Sequence, residues 1–95
     1  MELTTPPAIS LLSTHLRGGT RAGVKLSLSK ISSVSMTVRQ GSKVIWTNSA
    51  TVEGGRPRLL WITPSRGGTF TVTLTAADLA GNFSTTSGSV VVSRG

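Results

Sequence analysis

The chain contains no cysteine. That removes disulfides, zinc–thiolate centres and thiol nucleophiles together, and it leaves the compartment open, since an exported protein need not carry cysteine. Acids are almost as scarce, being limited to Glu2, Glu53 and Asp78. Hydrolysis by a carboxylate pair needs two acids about 5–10 Å apart. Here Glu2 precedes a proline pair, and Glu53 and Asp78 fall in different loops, Glu53 close in sequence to Arg56 and Arg58. A calcium loop wants several carboxylates in one segment, and the segment around Asp78 offers one. The sole histidine, His15, has no cysteine or acid cluster to complete a zinc site and no GxSxG elbow to complete a serine triad. No catalytic constellation, metal site or cofactor is therefore expected. Nor is there an apolar run of about eighteen residues, so membrane insertion through a helix is not expected either.

Basic residues are what is plentiful. Arg17, Arg21, Lys25, Lys30, Arg39, Lys43, Arg56, Arg58, Arg66 and Arg94 bring the formal net charge to +7. Such a balance attracts polyanions. The cations are scattered, however, and no ribonucleoprotein motif, helix-turn-helix pattern or basic helix accompanies them, so no specific nucleic-acid partner is expected. Serine and threonine recur throughout, which suits strands with a wet outer face and disfavours helices. At 95 residues the chain supports one domain with a modest core.

Residues 1–8, MELTTPPA, read as a linker, because two prolines stand among polar neighbours without periodicity. The domain then spans 9–93. Ile9 to Leu12 suits a short first strand, and THLRGGTRAG reads as a glycine-rich loop. Val24, Leu26 and Leu28 alternate with polar residues, as do Val34, Met36 and Val38. Gln40-Gly41-Ser42 is a hairpin turn into KVIWTN, which promises only a short, irregular strand. In Arg58 to Thr63 both faces are apolar, so periodicity alone does not orient it. Thr69 to Ala77 is the clearest strand, with Phe70, Val72, Leu74 and Ala76 on one face. Phe83 to Ser93 closes the domain, and Gly88 within it reads as a bulge. The whole predicts an all-β, immunoglobulin-like two-sheet sandwich of about seven antiparallel strands, with a five-stranded barrel as the alternative.

Three groups of residues are candidates for function. Trp46 and Trp61 would stack on sugar rings if exposed, or pack in the core if not. The arginine-rich loops 17–21 and 56–66, the latter with Arg56, Arg58 and Arg66, would hold an anionic polymer. The stretch DLAGN offers Asp78, Gly81 and Asn82 either as a site or as a corner. The corner is the stronger expectation: Asp78 accepts backbone N–H bonds, Gly81 takes left-handed angles, and Leu79 plugs the open end of the sandwich.

The segment FTVTLTAADLAGNFS, 70–84, preceded by Gly68, resembles the bacterial immunoglobulin-like and fibronectin-III-like modules. These are appended to secreted and surface enzymes, and one forms the immunoglobulin-like domain of the flagellar hook-capping protein. Gly68, Phe70, Val72, Leu74, Ala76, Asp78, Gly81 and Asn82 stand at the positions of their motif. VSMTVRQGSKVIW and LLW are similar to the hairpin and following strand of the same families. After that tryptophan Ile62-Thr63-Pro64 stands where the hook-cap type carries an acid and a glycine. The resemblance implies a non-enzymatic accessory or spacer module, monomeric in isolation, within a longer exported bacterial chain at the cell surface. Its partners would be the neighbouring domains. The alternatives are a module that binds polysaccharide or anionic cell-wall polymer, and self-association through an exposed edge strand.

Overall fold

Alternation decides which side of each strand meets the core, and the computed structural model, which describes residues 7–94, has eight strands built on it. They are β1 (Ile9–Leu11), β2 (His15–Arg17), β3 (Arg21–Leu28), β4 (Ser32–Gln40), β5 (Lys43–Val52), β6 (Arg58–Ile62), β7 (Gly68–Asp78) and β8 (Phe83–Ser93). A small sheet runs in the order β1-β3-β6 and a large one in the order β2-β8-β7-β4-β5. Neighbours are antiparallel except for β2, which lies parallel to β8. The all-β, two-sheet reading holds.

The core fills the space between the sheets. Val24, Leu26 and Leu28 of β3, with Leu59 and Trp61 of β6, face Val34, Met36 and Val38 of β4, Phe70, Val72 and Leu74 of β7, and Val90 and Val92 of β8. Burying each large side chain contributes about 1.5–3 kcal/mol, so this layer dominates the favourable side of folding. Trp61 settles what periodicity left open in β6. Its ring and Leu59 point inward, while Leu60 and Ile62 are 42% and 47% exposed.

Four local expectations are corrected. The loop THLRGGTRAG contains β2, too short to be read from periodicity because its partner, β8, lies at the other end of the sequence. β5 is ten residues long, not short; its irregularity is a register shift between Val38 and Arg39 of its partner β4. Gly88 marks no bulge, since the β7–β8 register passes through it unbroken. A Cβ there would stand 2.8 Å from Leu11 Cδ2, so the missing side chain makes room for β1. Leu79 plugs nothing and is 82% exposed. Of the linker expected over 1–8, residues 1–6 lie outside the described residues. Pro7 is buried, and the Ala8 N–H donates to Ser29 Oγ at 2.7 Å.

Two polar side chains let the chain change sheets. Ser13 sits between β1 and β2, where its hydroxyl accepts from the Lys25 N–H at 2.8 Å. Buried Thr63 donates through Oγ1 to Arg17 O at 2.7 Å and accepts from the Thr20 N–H at 3.2 Å, tying the end of β6 to the β2–β3 turn.

The strands give the molecule two poles. Ala8, Ser29 and the Asp78–Phe83 turn lie at the amino pole. Ser93 lies at the carboxyl pole, where its carbonyl accepts from the Gly18 N–H at 2.8 Å. The principal extents are 47 × 24 × 17 Å.

The packing of Gly88 yields a test. Gly88→Ala is expected to destabilise by about 1 kcal/mol through overpacking against Leu11. In a denaturant double-mutant cycle, Leu11→Ala should then cost less in the Gly88→Ala background than in the wild type, because the clash is gone. Strict additivity would contradict the contact.

Candidate anion-binding surface

The DLAGN segment is the turn between β7 and β8. The Asp78 N–H donates to Asn82 O at 2.8 Å and the Gly81 N–H donates to Asp78 O at 3.1 Å. The carboxylate is used as fully as the backbone. Asp78 Oδ1 accepts from the Ala80 N–H at 3.0 Å and the Asn82 N–H at 2.9 Å. Oδ2 accepts from Asn82 Nδ2 and from Lys30 Nζ, each at 3.4 Å. Gly81 takes φ +89°, a left-handed angle that a Cβ would strain. Desolvation pushes the Asp78 carboxyl up, but the hydrogen bonds from Asn82, Lys30 and Ala80 outweigh it and hold the group below its ordinary value. With its side chain only 5% exposed, Asp78 has its oxygens turned into the protein, where they join this turn to the β3–β4 turn through Lys30.

The tryptophans part company. Trp61 is 1% exposed and meets Phe70 edge to face, with centroids 5.2 Å apart and planes at 78°, so it offers no ring face to a ligand. Trp46 is half-buried between the sheets. Its Nε1–H donates to Leu60 O at 3.0 Å, and Asn48 Nδ2 donates to the same oxygen at 3.0 Å. Both side chains reach from β5 to the free edge of β6, a backbone row that would otherwise invite another strand.

The arginines separate as well. Arg66 stands in the β6–β7 turn, at the mouth of a cleft of about 230 Å³ also lined by Gln40, Ile45, Trp61, Ile62 and Pro64. Arg58 projects from the outer face of β6, directly across from Lys25 of β3, while Arg21 faces Ile62. The same ladder continues through the bond from the Leu26 N–H to Pro57 O and through the Leu28–Gly55 bridge. That register puts Arg56 across from Ser27. The sequence points to the arginine-rich loops 17–21 and 56–66 but not to Lys25, because only the β3–β6 pairing makes Lys25 and Arg21 neighbours of Arg58.

Charge is segregated along the molecule. Arg17, Arg21, Arg39, Lys43, Arg66 and Arg94 occupy strand ends and turns towards the carboxyl pole, all of them exposed. The described acids, Glu53 and Asp78, lie at the amino pole. The outer face of the large sheet is nearly neutral: Ser35, Thr75 and Thr85 form one row across it, and Thr37, Thr73 and Ser87 the next. The two glycine pairs near the cations are turns at that pole; the Gly19 N–H bonds Thr63 O and the Gly67 N–H bonds Pro64 O. His15 is exposed on β2, across from Val91.

No family model matches the chain, and no curated protein matches it. Three solved chains do match. One is the crystal structure of an engineered protein that was a structural-genomics target, with a TM-score of 0.72 and 22% identity over 95% of this chain. This chain spans 21% of that protein's length, and the likeness is one of fold alone.

The hydrogen bonds of Asp78 fix a pH dependence. A carboxylate whose folded pKa lies below the unfolded value of about 3.9 stabilises the fold fully above that value and loses its contribution as pH falls through the folded one. Thermal melts from pH 6 to pH 2 should therefore show a fall in Tm at the acid end that is smaller in Asp78→Asn than in the wild type. Identical acid slopes would contradict the assigned role.

Proposed function

We propose that the chain is a non-catalytic accessory module of a longer exported protein, built on the plan of the immunoglobulin-like and fibronectin-III-like sandwiches, and that it spaces and orients the domains on either side. The observation that carries this reading is that the described chain runs from Ala8 at one pole to Ser93 at the other. The polypeptide comes in at the amino pole beside Ser29 and leaves at the carboxyl pole beside Gly18. A neighbour at each end would be held apart by the length of the strands rather than brought side by side.

The strand order supports the finer fold assignment. With β1, β3 and β6 taken as strands A, B and E, and β8, β7 and β4 as G, F and C, β5 takes the place of C′ beside C, as in the variable-type sandwich. The side-chain caps that Trp46 and Asn48 place on the β6 edge favour a module that stays monomeric. The Asp78–Lys30 tie at one pole and the Thr63 hydrogen bonds at the other suit a segment whose ends transmit orientation. A second reading, favoured by the segregation of charge towards one pole and one sheet face, is a module that binds carbohydrate or anionic cell-wall polymer.

Because the chain lacks cysteine, paired spin labels can be placed without background at Ala8→Cys and Arg94→Cys. Eleven-residue strands imply one narrow distance distribution centred at about 30–40 Å. A broad distribution, or one below about 20 Å, would contradict a rigid spacer with ends at opposite poles. Turnover of glycoside, ester or peptide substrates by the purified chain would overturn the non-catalytic part.

A further inference from the structure

The outer face of the small sheet carries a row of cations that nothing in the fold requires. Lys25 and Arg58 stand directly opposite each other across β3 and β6, a like-charge arrangement that costs stability. Arg21 lies below them and Arg56 above, and at about 3.3 Å per residue the four span about 20 Å. All four are exposed. Among the described residues the ion pair is Lys30–Asp78, and these four take part in none.

Gly23 lies between Arg21 and Lys25 on the same face. Its φ is not left-handed, so the backbone does not ask for glycine there. A Cβ at Gly23 would stand 3.1 Å from Arg58 Cδ and 3.3 Å from Arg58 Cβ. The Arg58 stem therefore lies across the space left by Gly23, one step along the ladder from Lys25 on the side of Arg21. The gap spreads the cations into a line.

We propose that this line is a docking track for a linear anionic glycan, whose repeated acidic groups lie along β3 and β6. This inference rests on the second, polymer-binding reading above. Arginine forks suit carboxylate and phosphate groups on such a chain, and the exposed Leu60 and Ile62 beside them meet the C–H faces of sugar rings. At its lower end the track opens at Ile62 onto the cleft that Arg66 guards. Single-stranded nucleic acid fits less well, because sequence-tolerant binding of bases needs exposed aromatic rings among the cations. The exposed aromatic here, Phe83, begins β8 of the large sheet and is not among the cations of the small sheet. An anionic membrane fits less well too, since the most exposed apolar side chains, Leu79 and Phe83, lie at the β7–β8 turn and not among the four cations of the small sheet.

Calorimetric titration of the full chain with polygalacturonate, against neutral dextran as control, tests the proposal. The wild type should bind polygalacturonate and not dextran, with affinity falling as salt rises. Lys25→Ser with Arg58→Ser should weaken binding at least about tenfold, through two lost charge-assisted contacts, and flatten the salt dependence. The charge-matched control Arg39→Ser with Lys43→Ser, on the large sheet, should stay within about threefold, as expected for distant charges. Gly23→Thr, which suits a strand better than glycine, should keep or raise Tm and still weaken binding by displacing Arg58. Equal losses in the two double variants, or a Gly23→Thr variant that binds like wild type, would overturn the track and leave polymer binding standing. No binding of any polyanion would overturn both. Tighter binding to oligothymidylate or to phosphatidylglycerol vesicles of matched charge would overturn the choice of a glycan.

Discussion

Trp61 and Phe70 meet edge to face between the two sheets, and the outward surface follows from where they point. Successive side chains on a strand alternate sides. Once Trp61 is buried, Leu59 joins it in the core and Arg58, Leu60 and Ile62 must face solvent. β3 pairs with β6 so that Val24 lies beside Leu59 and Ala22 beside Trp61, which turns Arg21, Gly23 and Lys25 outward together. A slip of one residue would bury arginine and lysine without partners, so the apolar layer enforces the register as well as the stability. The cation row is the reverse side of the core.

The remaining polar structure secures the ends of that layer. Ser13 and Thr63 satisfy backbone groups where the chain changes sheets, and Asp78 does the same at the amino pole while holding Lys30. Trp46 and Asn48 cover the open side between β5 and β6. What these contacts leave free is a surface with three distinct regions: a neutral hydroxyl face on the large sheet, an apolar tip at the amino pole, and cations at the carboxyl pole and along the small sheet. The proposed spacer and the proposed docking track draw on different regions and do not compete.

Local features were legible in the sequence, the β4–β5 hairpin at Gln40-Gly41-Ser42 included, and the long-range pairings were not. Phe70, Val72, Leu74 and Ala76 alternate with threonines, so the direction of β7 follows from composition alone. β6 resists the same treatment because Leu59, Leu60, Trp61 and Ile62 are all apolar; only the volume of Trp61 and its neighbours across the core decide between faces. β2 is three residues long and paired in parallel to β8, and no local pattern announces it. Leu79 misled because an apolar turn residue suggests a plug, whereas the hydrogen bonds of Asp78 and the left-handed Gly81 project the turn away from the core. Sequence proximity groups Arg58 with Arg56 and Arg66. Its neighbours in space are Lys25 and Gly23, which only the antiparallel register supplies.

In the proposed docking track, a core-enforced register presents one face of the sandwich for binding and leaves the other silent. Backbone amide NMR shifts, followed during titration with polygalacturonate, test it most directly. Perturbations are expected only at residues 21–27 and 56–66, with Thr71, Thr73 and Thr75 on the large sheet and Leu79 and Phe83 at the amino pole unmoved. Perturbations centred on the threonine face or on the Asp78 turn would contradict it.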